Sequence, residues 1–591
     1  MSAVPLDAPA ARDPAIVGVK AAGLAAAANA GLPVLPGWIL PLEASTAAIT
    51  AGARALENAG RPTAYLAAME FAVPSALPSG GAMDGERGLF VVRSSTALDD
   101  DGRWSGGFAS YVGIEPGDLP TAVRGCWASA FSGDALGRCA EAGVDVDTLR
   151  IAVLVQPFIR LDAGGTARVR DDGAVDVSVA PGGPSGVVAG RRDGRDVRVG
   201  ADGRIVAETE SSVPAATVSA AAGLARRASG SVTATPIEWG AVGDEIYLLQ
   251  IGPARPAEAP SADPAPHIRT RHAPVPAGAE RLARLVTAFP GPLGDALVLP
   301  WALGAGDASA IEGVGADTVG VHDPASALVE ARALADEAAA EVWGAPPPLA
   351  RERAADVMRL LLRGGVTDGV RAIARLGAPD PDVARRIVAL VRAVGELLAG
   401  AGLLPSPKLV WRLTGEEVDR AIAGTPPALR GGPGRWEPFV AEVVRARGRG
   451  AQAVPVSPGI GAGPLRPLRR LRSLDRPGPR EVLVAPLPLP HLAPLLWHSA
   501  ALVTAGGTAG AHLFEVARSL GVPAVIGPGI GPEIGMDAQA LGESGSLVAV
   551  DGDTGRVSIL PKPAAPIVAS PSRTSRSNWS DPVAAVPAGG A

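Results

Sequence analysis

His512 is the residue of this sequence with the clearest chemical setting. It lies in Val503–Gly527 (VTAGGTAGAHLFEVARSLGVPAVIG), where a strand-like stretch enters a glycine-rich turn and a short helical stretch begins. Free N–H groups at a helix start, together with a glycine nest, stabilise negative charge. A neutral imidazole nitrogen held there can attack phosphorus and carry the phosphoryl group. Arg518, six residues on, can reach phosphate oxygens if the helix turns back. The bland alternative is a surface histidine at a helix start. A second signal comes from the basic residues. Of 54, only Lys20, Lys408 and Lys562 are lysine. A lysine kept in such a chain is one whose compact ammonium arginine does not replace, or it is chance. Taken singly, Arg93 reads as a surface ion-pair residue and Glu238 as an exposed strand residue.

Several elements must position these residues. Phe90–Arg93, Ile151–Ile159 and Glu245–Ile251 read as strands, and Thr121–Phe131 as a helix with Val123, Trp127 and Phe131 on one face. Pro253–Pro276 is dense in proline and alanine and reads as an extended linker. Helical spacing follows at Ala325–Trp343, Leu349–Arg363 and Asp382–Ala399. Arg445–Ala453 (RARGRGAQA) reads as a second linker. Strands are expected at Glu481–Ala485, Ala500–Thr504, Ala524–Ile526 and Leu547–Val550, with a helix at Leu513–Leu520.

The 591 residues allow three or four domains, and 47% hydrophobic content is ample for their cores. A net charge of -6, mixed along the chain, argues against a nucleic-acid binder. Cys126 and Cys139 make no disulfide framework and read as reduced thiols. No charge-free apolar stretch of ~18 residues stands out as a membrane span, and Met1–Asp13 lacks a signal pattern. A soluble, cytoplasmic protein is expected.

The histidine segment resembles the mobile phosphohistidine domain of the phosphoenolpyruvate-utilising enzymes, the family of phosphoenolpyruvate synthase, pyruvate phosphate dikinase and rifampicin phosphotransferase. His512, Ala517, Arg518, Gly521, Pro523, Ala524 and Val525 match in register. So do Val456–Pro464 (VSPGIGAGP) upstream and Val550–Val557 (VDGDTGRV) downstream. The N-terminal part resembles the family's nucleotide-binding domain. Val17–Leu24 (VGVKAAGL) and Ala30–Trp38 match its opening, and Val92–Thr96 (VRSST) with Ser105–Gly107 and Ser110 match its phosphate loop and glycine lid. Val155–Pro157, Ile237–Trp239 and Leu248–Gln250 match its later strands. The chain departs from the pattern at Ala511, where a serine or threonine is usual, at Gly252, where an arginine is usual, and at Pro236, where an aspartate is usual.

The resemblance implies a multidomain α/β chain: an ATP-grasp-like nucleotide-binding domain over 1–256, a linker over 257–276, a mainly helical central domain over 277–450, a swivelling β/β/α phosphohistidine domain over 451–561, and a disordered tail over 562–591. It implies ATP and Mg²⁺ as cofactors. Lys20 and Arg93 would hold phosphate, with the Gly106 backbone and the Ser110 hydroxyl along the triphosphate. Gln156 would stand beside adenine, and the side-chain oxygens of Glu238 and Gln250 would hold Mg²⁺. The implied function is a dikinase-type phosphotransferase, a kinase in which His512 passes the β-phosphoryl of ATP to a small hydroxyl-bearing acceptor. No room remains after the histidine domain for the family's pyruvate-binding barrel, so no acceptor is named. His267, His272 and His322 read as exposed linker histidines, and no role falls to His491 or His498. The three departures support a second expectation: a degenerate, nucleotide-sensing or partner-binding module.

Overall fold

The computed structural model describes residues 2–73, 88–100, 102–190, 194–208, 212–232, 236–252, 276–304, 314–316, 319–362, 366–427, 429, 435–468, 480–527 and 546–561. The N-terminal part holds two antiparallel sheets. The first orders Val4–Pro5, Trp38–Leu40, Ala152–Pro157, Phe90–Ser95 and Ser110–Ile114. It packs against helices Thr46–Ala59, Arg61–Met69 and Leu119–Ala128 through Ile49, Val92, Trp127 and Phe131. The second orders Glu245–Ile251, Ile237–Val242, Ala163–Val169, Val175–Pro181, Arg195–Val199 and Ile205–Glu208. Alternation along Val175–Pro181 turns Val177 and Val179 inward onto helix Ala215–Val232. Cys126 and Cys139 are buried, free thiols.

The central part is helical, and local sequence sets its helix ends. Asp323-Pro324 and Asp380-Pro381 start Pro324–Trp343 and Pro381–Gly400. In each, the aspartate accepts from two backbone N–H groups and proline takes the first helical position. Gly344 closes the first of these in the left-handed conformation. Thr414 and Glu417 form a capping box at Gly415–Ile422.

The last part is one eight-stranded sheet in the order Arg449–Gln452, Arg556–Leu560, Leu547–Asp551, Ile460–Pro467, Val482–Ala485, Ala501–Thr504, Ala524–Ile526, Val454–Ser457. Strands 460–467, 482–485, 501–504 and 524–526 run parallel; the other pairings are antiparallel. The sheet folds over itself, with Leu465, Val482, Val503, Val525 and Val548 between its two layers. Helix His512–Ser519 covers the 482–526 layer through Leu513 and Phe514. Helix Glu437–Arg447 covers the other layer, where Phe439, Val443 and Val444 share one core with Ala462, Leu547, Ala549 and Leu560.

That arrangement corrects the second linker. Arg445–Arg447 ends a helix, and Arg449–Gln452 pairs with Arg556–Ile559 as the outermost strand of the sheet. Its arginines and glycines mimic a linker because an outer strand exposes most of its residues and carries charge. The sheet thus begins at Arg449, and the helix before it packs on that sheet. The segment 253–275, the tail 562–591, His267 and His272 lie outside the described residues.

Candidate active site

His512 opens its helix directly after Ala511, which offers no side-chain cap. The hydroxyl that the local sequence lacks comes from elsewhere: Ser105 Oγ lies 2.8 Å from His512 Nδ1. Ser105 is held in turn by Arg138, a fully buried guanidinium that donates to the Arg103 and Ser105 carbonyls at 2.7 and 3.0 Å and pairs with Asp134 at 3.1 Å. Gly106 beside it has a φ of +67°, and a Cβ there would stand 2.8 Å from His512 Cδ2. Both the turn and the close ring therefore require glycine.

Around the imidazole stand Lys20, Asp99, Thr166, Glu238, Gln250 and Glu515, enclosing a space of about 30 Å³. Lys20 sits in the first turn of helix Val19–Asn29, whose Ala21 N–H donates to Ser95 Oγ at 3.1 Å. Its Nζ pairs with Asp99 Oδ1 at 2.8 Å. Glu238 and Gln250 are direct partners on neighbouring strands, and Thr166 is opposite Glu238 on the other side. Burial lowers the pKa of His512, with Glu238 opposing and Lys20 reinforcing. The imidazole is therefore neutral near pH 7, the form with a free nitrogen lone pair.

The turn before His512 is docked on the second N-terminal sheet. Ala509 N–H donates to the Asp196 carboxylate at 3.1 Å, and Gly510 N–H to Ser178 Oγ at 3.1 Å. A carboxylate thus occupies part of the nest expected to stabilise an anion. One helical turn on, Glu515 accepts from Arg168 Nη2 with both oxygens, at 2.6 and 2.7 Å. Burial alone would raise the Glu515 pKa, but Arg168 and Arg518 outweigh it and hold the carboxyl below its ordinary range.

The expected residues divide into three groups. Lys20, Glu238, Gln250 and His512 meet in one space, and Gly106 abuts the ring. Arg93 lies just behind: its Nη1 donates to the Leu249 carbonyl, and Glu238 acts on its charge. Three others are placed differently. Gln156 is buried with its amide donating to the Leu35 carbonyl at 2.8 Å, because its strand packs inward there. Ser110 is exposed on the outer strand beside Arg93, since that strand has a partner on one side only. Arg518 does not turn toward the space. It donates to the Val456 carbonyl at 3.1 Å, the Ala509 carbonyl at 2.8 Å and Glu515 at 2.9 Å, and so ties the turn to the helix.

Sequence reasoning missed Asp99, Arg138, Arg168, Glu515 and the pair Glu141–His498. His498 is buried, with Nε2 2.7 Å from Glu141 Oε2 and Nδ1 3.3 Å from Arg412 Nη1. Glu515 had a usable signal, three residues from His512 on one helix face. The rest are set by tertiary contact. His322 is exposed. The departures Pro236 and Gly252 form one local unit: Gly252 N–H donates to the Pro236 carbonyl at 2.7 Å. A Cβ at 252 would stand 2.9 Å from both the Pro236 ring and the Pro236 carbonyl oxygen, so an arginine does not fit there in this backbone conformation.

A family model described as pyruvate phosphate dikinase, AMP/ATP-binding domain, matches residues 67–226. A second, PEP-utilising enzyme, mobile domain, matches residues 477–555, which hold His512. The chain is 34% identical over 96 residues to phosphoenolpyruvate synthase of Pseudomonas aeruginosa, a stretch covering 16% of this chain and 12% of that protein. It is 36% identical over 98 residues to the Escherichia coli phosphoenolpyruvate synthase, 17% of this chain and 12% of that one. An uncharacterized phosphotransferase of Bacillus subtilis is 24% identical over 196 residues, 28% of this chain and 23% of that protein. The chain thus spans about an eighth of the length of the synthases it matches. It carries, in this order, stretches similar to the nucleotide-binding and mobile domains of the PEP-utilising enzymes.

Proposed function

We propose that the chain is an ATP-dependent phosphotransferase of the dikinase type, with His512 as the nucleophile. The observation that carries this reading is the seating of the His512 ring among Lys20, Glu238 and Gln250, with Nδ1 held by Ser105 at 2.8 Å. When Nδ1 donates to Ser105, the lone pair is left on Nε2, and no described residue hydrogen-bonds that nitrogen. Nε2 attacks the β-phosphorus of ATP, the bond from the β-phosphorus to the α-phosphate oxygen breaks, and AMP leaves. Water then cleaves the outer phosphoanhydride, releasing inorganic phosphate and leaving one phosphoryl group on His512. Positioning and charge neutralisation supply most of such catalysis.

The space of about 30 Å³ is too small for a triphosphate. ATP therefore enters with the His512 ring withdrawn, and Lys20 exchanges Asp99 for phosphate. Glu238 and Gln250 place a carboxylate and an amide side by side. With phosphate oxygens, that donor set suits a magnesium ion, which would neutralise phosphate charge when bound. The phosphoryl group passes next to a small hydroxyl-bearing acceptor. No described helix is long and apolar enough to cross a membrane, and neither membrane nor nucleic acid enters this reading.

The test is incubation with β-labelled ATP and Mg²⁺. Acid-labile, base-stable label on the wild type that is absent from His512→Ala is expected; an unlabelled wild type, or equal label on the variant, overturns the reading. A second reading is favoured by the Pro236–Gly252 unit, which replaces an acid and an arginine of the family pattern. In that reading the chain binds nucleotide and signals its presence by undocking His512 without transfer.

A further inference from the structure

A second, larger space lies away from His512. A cavity of about 900 Å³ is lined by the central helices on one side and by the eight-stranded sheet on the other. Its size falls in the range of small-molecule sites. No described residue lines both this cavity and the His512 space. Ala354, Met358, Leu413 and Val440 give it an apolar floor from the helical side, and Ala462 and Pro464 close it from the sheet.

Its polar end is unusual. Arg480 is the one described non-glycine residue with a positive φ, 60°. A long side chain is held in that conformation at a cost, and such strain clusters at functional sites. The Arg480 guanidinium is buried, pairs with Glu437 and donates to the Ser499 carbonyl at 3.1 Å. Arg412 stands beside it. Burial first, and the charge of Arg480 second, lower the Arg412 pKa to about 10. Arg351, Arg412, Arg435 and Arg480 line the cavity against Asp295, Glu417 and Glu437. Among the described lining residues, Arg480 pairs with Glu437, Arg435 pairs with Asp295, and Arg351 pairs with Asp336 outside the lining.

We propose that this cavity binds a small organic monoanion with an apolar body, its acidic group meeting Arg412 and its body lying along Met358 and Val440. Arg412 offers the planar donor set suited to carboxylate, sulfonate or phosphate. The ligand is not one that His512 phosphorylates in place. The His512 helix covers one layer of the sheet, while the cavity lies on the side of Glu437–Arg447, which covers the other. Ala462, Pro464 and Arg480 belong to the same folded unit as His512, so movement of that unit carries the cavity wall with it. Arg412 also contacts His498, which pairs with Glu141 of the N-terminal part.

Fluorescence titration of the full chain with 1-anilinonaphthalene-8-sulfonate, without nucleotide, tests this. One saturable site is expected, with the uncharged N-phenyl-1-naphthylamine binding at least ~10-fold more weakly, the loss of one charge-assisted contact. Ala355→Trp fills the cavity mouth from an exposed helix position, so it leaves folding intact and weakens the probe at least ~10-fold. Arg412→Gln does the same if its far-ultraviolet circular dichroism matches the wild type, and His512→Ala binds as the wild type does. Absence of binding to the wild type, equal affinity for the uncharged probe, or unaltered binding by Ala355→Trp overturns the proposal. Because no ATP is present, such a result leaves the phosphotransfer reading standing.

Discussion

The unit that carries His512 meets its two neighbours in opposite ways. Against the N-terminal part it is held largely by polar contacts: Ser105 to His512, Arg168 to Glu515, Asp196 and Ser178 to the turn, Glu141 to His498. Against the central helices it shares a continuous apolar core through Phe439, Val443 and Val444. Polar contacts exchange readily for water or phosphate, because a hydrogen bond contributes only about 1 kcal/mol net. An apolar core does not separate without exposing its whole area. The contrast therefore assigns reversibility to one side and permanence to the other. If His512 travels, helix Glu437–Arg447 travels with it.

Breaking the permanent side has the largest effect. Phe439→Ala, at a fully buried ring, lowers stability by about 3–5 kcal/mol, read by denaturant unfolding. A near-neutral result would remove the shared core from the account. On the reversible side, Glu515→Ala leaves Arg168 and Arg518 facing each other without their carboxylate. Loss of one partner of a partly buried pair costs on the order of 2 kcal/mol, so label uptake from ATP falls at least ~10-fold while the unfolding midpoint moves less than for Phe439→Ala. Ser105→Ala removes one hydrogen bond of about 1 kcal/mol. A several-fold slower labelling is expected, with nucleotide affinity unchanged. An unchanged rate would show that Nδ1 needs no holder.

The smallest effect comes from pH. Burial lowers the His512 pKa, so the docked form binds fewer protons than the undocked form. Docking is therefore fully favoured above the ordinary histidine value near 6.5 and weakens as pH falls through the lowered one. The lowered Glu515 carboxyl has the same sign, its contribution present above the ordinary carboxylate range and lost in acid. Amide hydrogen exchange of residues 509–516, corrected for its intrinsic pH dependence, would show protection near neutrality and its loss in acid. Protection that increases in acid would reverse the sign and contradict the burial argument.

Much of the local structure was legible in the sequence. Glu245–Ile251 and Ala524–Ile526 are strands over the expected residues, and Ala325–Trp343 and Asp382–Ala399 fall within a residue of their helices. Periodicity and Asp-Pro starts carry that information locally. Arg445–Ala453 failed because an outer strand and a linker share the same polar, glycine-rich composition. For the site, Lys20, Glu238, Gln250 and His512 were legible as motifs. Their partners were not, since Ser105 and His512 are 407 positions apart and Arg168 and Glu515 are 347 apart. Ala511 read as a missing hydroxyl, and only the fold shows Ser105 supplying one. Arg518 read as a phosphate ligand because nothing local reveals that Val456, Ala509 and Glu515 take its donors.

The most direct test of the central claim uses ATP labelled separately at the β- and γ-positions. After incubation with Mg²⁺ and removal of nucleotide, the account predicts that β-label remains on His512 while γ-label appears as inorganic phosphate. Stable γ-label on the protein, or no label from either position, would contradict it.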